Sequence, residues 1–422
     1  MSASQQTNGQ KTVPTLWRER ILKRDFEIVL GKMLQSDQGR EDETEESYLR
    51  SANVQWEGVD LSDVKTMWFS SAEKRDLLLR EGDLVVNEGG DVGRCAIWPS
   101  ISESIYFQNA INRVRARTSA STRFLYYWLY NLKHAGFIDA MVSRITIAHL
   151  TAEKLARVPW PNVPAAEQQR IAAYLDASCA AIDAAVAAKR RQLETLDALR
   201  KSTIKRAVTM GLNPSVKTQR TDMEWIPEMP QHWRLARVKD VMEFFNTVRV
   251  PLSAAERGVM TEKTYDYYGA SGVIDKVDAY LFDGTYILIA EDGANLLTRS
   301  KPLAFLATGK FWVNNHAHIL KPRWGGDDTF FVTLLESQEF SLFVTGAAQP
   351  KLTMENLGRF KLAVPRVTEQ KEIAAFIREK DGEFRPLFAQ IERQIATLTA
   401  YRKSLIHECV TGQRRITEAD LN

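Results

Sequence analysis

A chain of 422 residues with 44% hydrophobic content is long enough for two or three domains that each bury a core, which excludes a wholly disordered protein. Its 56 basic and 53 acidic residues leave a net charge of only +3, so a nucleic-acid partner would have to be met by local basic patches, not by a bulk field. Cys95, Cys179 and Cys409 are odd in number and lack C-x-x-C spacing, which argues against a disulfide framework or zinc knuckle. They suit small core residues of a reducing, cytoplasmic compartment. The first twenty residues are polar and no eighteen uninterrupted apolar residues occur, so the sequence predicts neither a signal peptide nor a membrane partner.

From the N-terminus, residues 1–160 read as a first globular domain, with short β-like runs at Asp83-Leu84-Val85-Val86 and Ala96-Ile97-Trp98 and a helix over Thr122–His134. The Glu41–Glu46 acidic segment has no assignable role. Candidate DNA contacts cluster in loops and on one strand. Gly89-Gly90-Asp91-Val92-Gly93-Arg94 offers backbone for close approach to a phosphate, with Arg94 beside it. Asn109, Asn112, Arg113, Arg115 and Arg117 bring together amides and guanidiniums, the groups that read adenine and guanine edges. Strand alternation puts Arg113, Arg115 and Arg117 on one face; the competing reading is a solvated basic edge that guards against aggregation. Arg144 and Thr146 are further candidates.

Residues 150–209 align without a gap on residues 352–411, and roughly a third of the positions are identical. Leu150-Thr151, Leu155, Arg157, Glu167-Gln168 and Ile171-Ala172-Ala173 match Leu352-Thr353, Leu357, Arg359, Glu369-Gln370 and Ile373-Ala374-Ala375. Arg200-Lys201-Ser202 matches Arg402-Lys403-Ser404. A central spacer helix is expected over 161–212, with Leu175, Ile182, Val186, Leu193 and Leu196 on its seam. Gly211-Leu212-Asn213-Pro214 supplies its stop, and 213–223 reads as an exposed linker.

A second globular domain spans 224–363, where Trp233 and Val238-Lys239-Asp240 faintly echo Trp17 and Leu22-Lys23-Arg24. It carries β-like runs at Tyr286–Ala290, Leu303–Leu306 and His318–Leu320 and a helix over Thr329–Val344. Its candidate DNA contacts are Asn295, Arg299, Lys301, Lys310, Asn314, Asn315 and His316, with Gln349 and Lys351 suited either to a groove or to capping a turn. His316 and His318 with Glu291-Asp292 admit a metal site as an alternative, although no third and fourth ligand is evident. The C-terminal spacer helix and tail, 364–422, continue the seam with Ile377, Phe384, Phe388, Ile391, Ile395, Leu398 and Leu405. Gly382 and Pro386 predict that this helix starts late or kinks.

Two such helices in one chain can pair as an antiparallel coiled coil, with small alanines of the first facing Phe384 and Phe388 of the second. The alternative is that each lies on its own globular domain, and Lys189, Asp381, Arg200 and Arg402 on the seam favour it. A helix of forty residues spans roughly 60 Å, more than a turn of B-DNA at about 34 Å. The expected fold class is α/β (α+β), with twisted, mainly antiparallel sheets in two heads.

Several motifs carry a family resemblance over nearly the whole chain: VTMGLNPSVK followed by EWIPEMPQHWRLARVKDV, LTMENLGRFKLAVPRVTEQKEIAAFI, YRKSLIHECVTG, and the pair YLFDGTYILIAEDGANL and GKFWVNNHAHIL. The chain resembles the specificity subunits of type I restriction-modification enzymes. The resemblance implies two target-recognition domains, each reading one half of a bipartite, asymmetric site on double-stranded DNA. It implies helices that fix the gap and dock two methyltransferase subunits, and through them restriction/translocase subunits. No G-x-x-x-x-G-K-[ST] and no Asn-Pro-Pro-aromatic run occurs, so no cofactor is expected on this chain. S-adenosylmethionine, ATP and Mg belong to the partner subunits on this reading. A coiled-coil scaffold, or the specificity subunit of another multi-subunit phage-defence system, is the alternative.

Overall fold

The computed structural model describes residues 17–142, 149–346 and 349–421. The chain forms two compact units, one of residues 1–190 and 393–422 and the other of residues 191–392. Two long helices, Ala165–Met210 and Val367–Val410, pass through both, so each unit holds a head and part of each helix.

In the first unit a four-stranded antiparallel sheet runs in the order Phe26–Leu30, Ile111–Ala116, Leu84–Asn87, Cys95–Ile97. A three-stranded sheet, Lys65–Phe69, Thr44–Leu49, Tyr106–Phe107, packs over a second core. The second unit is built on one six-stranded sheet, ordered Met242–Phe244, Ala317–Pro322, Phe282–Ala290, Ala304–Val313, Tyr265–Gly269, Gly272–Val277, in which one pair is parallel. The fold is therefore the expected mixture of helix with mainly antiparallel sheet, and the heads differ in sheet plan as they do in sequence.

Both heads are joined to the long helices by the same device. In the first, Glu19–Ile21 pairs antiparallel with Pro159–Pro161 just ahead of the helix; in the second, Arg234–Arg237 pairs with Lys361–Val364. The repeated glutamines then close the joint. Gln168 is 2% exposed, accepts from the Ser121 amide at 2.8 Å and donates to the Val163 carbonyl at 2.8 Å. Gln370, 4% exposed, accepts from the Asp327 amide at 3.2 Å and donates to the Pro365 carbonyl at 3.0 Å. Ser121 and Asp327 are the N-caps of the head helices Thr122–His134 and Asp328–Glu336. About two turns further along the long helix, Arg123 pairs with Asp176 at 2.8 Å in the first unit, while Arg378 donates to Thr329 at 3.1 Å in the second. The contact is in the same place with its polarity exchanged. The faint tryptophan echo belongs to the joint as well. A Cβ on Gly412 would lie 2.9 Å from Trp17, and one on Gly211 would lie 3.5 Å from Trp233, with both glycines left-handed at the ends of their helices.

The long helices pack antiparallel in each unit. Ala172, Leu175, Cys179 and Ile182 share a core with Leu405, Ile406, Cys409 and Val410 in the first. Ile204, Ala207 and Val208 share one with Ile373, Ala374 and Ile377 in the second. Phe384 is buried and Val186, Leu193, Leu196, Phe388, Ile391, Ile395 and Leu398 are half-buried. The charges on the seam pair across it. Arg200 meets Asp381 at 2.8 Å within the second unit; Arg402 meets Asp183 at 3.1 Å in the first and lies 5.0 Å over the Tyr130 ring.

Three local expectations change. The second long helix runs unbroken through Gly382 and Pro386: both are exposed, so the Gly382 carbonyl that Pro386 cannot pair is left to solvent. Residues 218–223 are not plain linker but form a hairpin with Ile226–Pro230, held by Trp225 against Phe343 and Phe360 at 5.2 and 5.3 Å. The helix expected over 329–344 stops at Glu336 because Arg299 takes the Glu336 and Gln338 carbonyls. Cys95, Cys179 and Cys409 are buried and unpaired. An 18-residue window of the first long helix has mean hydropathy 1.5 and is long and apolar enough to cross a membrane; 33% of it is buried, and its apolarity is largely alanine.

The joint predicts that Gln370→Ala, which strands the Asp327 amide and the Pro365 carbonyl, costs about 1–3 kcal/mol. Calorimetry of the full chain should show a lowered unfolding transition, with Gln168→Ala behaving alike; parental stability in both would contradict the joint.

Candidate nucleic-acid interface

In the first head, strand alternation does put Arg113 and Arg115 on one face, but that face is turned into the protein. The short helix Ser71–Leu77 ends with unpaired carbonyls, and the two guanidiniums close it. Arg113, 3% exposed, donates to the Asp76 carbonyl at 2.6 Å and pairs with Glu27 at 2.9 Å. Burial, and then the neighbouring Arg115, lower its pKa. Arg115 donates to the Leu78 carbonyl at 3.1 Å and clasps Asp83 at 2.6 Å. Asn112 is fully buried and gives its amide to the Leu150 carbonyl at 2.9 Å. These three side chains are spent on the fold and present no group to a DNA groove in this structure.

Arg117, with a side chain 58% exposed and Glu27 no nearer than 3.9 Å, is the arginine of that row that faces solvent. Asn109 is half-buried in the turn before the strand, its backbone amide held by the Lys32 carbonyl at 2.8 Å. Within the glycine loop Gly93 is packed, a Cβ there meeting Ile138 at 2.8 Å, whereas Gly90 and Asp91 are exposed. Arg94 is half-buried, 3.7 Å from Asp91 and 3.4 Å from the Ser51 carbonyl. Arg144 and Thr146 lie outside the described residues.

In the second head three loops meet at one end of the six-stranded sheet, tied by a charge network around Glu291. Arg249 pairs with Glu291 at 2.6 Å and donates to the Ala317 carbonyl at 2.7 Å; Lys351 approaches the other Glu291 oxygen at 3.3 Å. Burial raises the Glu291 carboxyl, but Arg249 and Lys351 beside it outweigh that and leave its pKa below the ordinary value. His318 is fully buried, donating from Nε2 to the Leu352 carbonyl at 2.7 Å and accepting at Nδ1 from Asn246 at 2.7 Å. Burial lowers its pKa, which keeps the ring neutral. His316 pairs with Asp292 at 2.9 Å. Each histidine thus has its own partners, and among the described residues no group of three or more His, Cys, Asp or Glu is placed to hold a metal ion.

Three candidates of this head are also spent internally. Asn295 Oδ1 accepts from the Lys301 amide at 2.9 Å, Asn314 (6% exposed) accepts from the His316 amide at 2.8 Å, and Arg299 closes the head helix. Lys301, Asn315, Gln349 and Lys351 are exposed, and the His316 side chain is 45% exposed. These five belong to the loops at the Glu291 end. Lys310 stands elsewhere, on the strand Ala304–Val313, with its ammonium 4.6 Å over the Tyr280 ring.

The chain matches the family model for the type I restriction modification DNA specificity domain twice, over residues 17–195 and 230–395. It belongs to that family. The two matches fall one on each head with its following helix, so the specificity domain is present in duplicate. Relatives agree. A Methanocaldococcus jannaschii protein, the type I restriction enzyme MjaVIII specificity subunit, is 21% identical over 93% of each chain. A Haemophilus influenzae protein, provisionally named a type I restriction enzyme specificity subunit, is 29% identical; that match spans 38% of this chain and 40% of the relative. Among solved structures, a chain from a study of complex assembly and conformational transition in the type I restriction-modification system shares the fold. Its TM-score is 0.70, at 14% identity, over 96% of this chain and all of the other. The HsdS subunit from Thermoanaerobacter tengcongensis gives a TM-score of 0.50 at 16% identity, covering 97% and 100% of the two chains.

For this specificity chain, buried and exposed arginines of one strand separate cleanly. Arg113→Ala should lower stability by about 1–3 kcal/mol, because it strands the Asp76 carbonyl, whereas Arg117→Ala should change it by less than about 0.5 kcal/mol. Denaturant unfolding of both variants checks this; equal effects would contradict the placement.

Proposed function

We propose that the chain is the DNA sequence-reading subunit of a type I restriction-modification complex and is itself non-catalytic. Each head reads one half of a bipartite, asymmetric site, and the paired helices set the gap between the halves. The helices also dock two methyltransferase subunits, which bring S-adenosylmethionine; restriction/translocase subunits join through them with ATP and Mg. The complex works in the cytoplasm.

One observation carries this reading: two dissimilar heads, one on a four-stranded and one on a six-stranded sheet, sit on the same repeated joint of strand pair, buried glutamine and tryptophan-on-glycine contact. Repetition of the mount with variation of the head is what a reader of two different half-sites requires. The groups proposed to meet DNA are those left at the surface. They are Asn109 and Arg117 in the first head and Lys301, Lys310, Asn315, His316, Gln349 and Lys351 in the second, with Arg94, Arg144 and Thr146 as further candidates. Lysines act on phosphates, whereas the asparagines and Gln349 suit adenine edges.

Gel shifts of the chain assembled with its methyltransferase, run on a duplex library at several salt concentrations, test the proposal. One duplex should stay preferred while log affinity falls linearly with log salt. Equal retention of all duplexes would favour the scaffold reading. Asn315→Ala should lose about 1–3 kcal/mol of discrimination at particular base pairs.

A further inference from the structure

The second unit carries a cavity of about 350 Å³ at the start of its long helix, floored by Val241, Phe331 and Pro365 and ringed by Arg234, Arg323 and Arg366. Neither Arg234 nor Arg366 has an ion-pair partner among the described residues, and Arg323 spends only its Nε, on the Met242 carbonyl at 3.2 Å. The nearby carboxylate of Glu369 forms no ion pair with them; it is held by His232 at 2.9 Å and by the Trp233 indole at 3.1 Å, and it does not line the cavity. The cavity is therefore a concave site of net positive charge with an apolar floor.

Trp324, on its rim, is 71% exposed and has φ +53°. A bulky side chain pays twice there, in left-handed backbone and in an indole left in water. Glycine would relieve both, and Gly325 and Gly326 follow directly in the same turn. Folding alone thus gives no reason for tryptophan. The aligned mount of the first unit has Pro164 where this one has Arg366, so the cavity is no consequence of the repeat.

We propose that this cavity receives a carboxylate side chain, carried on a protein segment of the methyltransferase partner, with the Trp324 indole closing over its apolar neighbour. The inference rests on the function proposed above. Charge complementarity requires an anion, and the apolar floor and exposed tryptophan favour a protein side chain over a DNA phosphate. Tryptophan and arginine are the residues that dominate protein–protein anchor points.

The test is calorimetric titration of the purified full chain with its methyltransferase subunit, using Trp324→Gly, Arg366→Glu and Arg366→Lys. The first two should bind about tenfold or more weakly, with Arg366→Lys between them and the parent, since lysine keeps the charge and loses the fork. Trp324→Gly should melt at or above the parental temperature, which separates docking from stability. Parental affinity in both Trp324→Gly and Arg366→Glu overturns the inference. So does unchanged methyltransferase affinity with a uniform loss of DNA affinity across sequences, the mark of a phosphate contact. If the unaltered chain itself fails to bind the methyltransferase, the proposed function falls, and the two failures are told apart by the parent.

Discussion

A single buried amide side chain in each unit holds the architecture together. Gln168 and Gln370 stand at the start of the long helices, where the first-turn amides have no partners of their own, and each reaches sideways to a head. A glutamine suits this place because one end accepts and the other donates: the N-cap amide of the head helix on one side, the carbonyl ahead of the long helix on the other. A glutamate could not donate, and a leucine could do neither. Since both groups it satisfies are backbone, the joint is indifferent to the side chains of the head. That indifference lets one mount carry two unlike sheets.

The same logic explains the charge balance. Several guanidiniums that look free in the sequence close backbone ends or carboxylates inside a head: Arg113 and Arg115 on the helix Ser71–Leu77, Arg299 on the end of Asp328–Glu336, Arg249 on Glu291. Cations left exposed include Arg117 in the first head, Lys301 and Lys310 in the second, and, separately, the arginines around the cavity beside Trp324.

What was legible in the sequence follows from period and repetition. The long helices and their seam were readable because apolar residues recur along some forty positions, and the repeat marked Gln168 and Gln370 before any role was visible. The strands around Val85, Ala96, Leu288 and Ile319 were readable as short apolar runs. Which face of a strand meets solvent was not readable: alternation groups Arg113, Arg115 and Arg117 but does not say that the first two point at a helix end. Asn112 was lost for the same reason, since its acceptor, the Leu150 carbonyl, is distant in sequence. Pro386 misled because its cost depends on burial, and the helix is exposed there. Trp324 carried no local signal at all; only its backbone angle and exposure reveal it.

The central claim is that two heads on a common mount read two half-sites independently. Exchange of residues 224–363 for the corresponding head of another specificity chain, followed by methylation profiling of a host carrying the complete system, tests it most directly. The account predicts a methylated site with one half replaced, the other half kept and the gap unchanged. A profile in which both halves change together would contradict it.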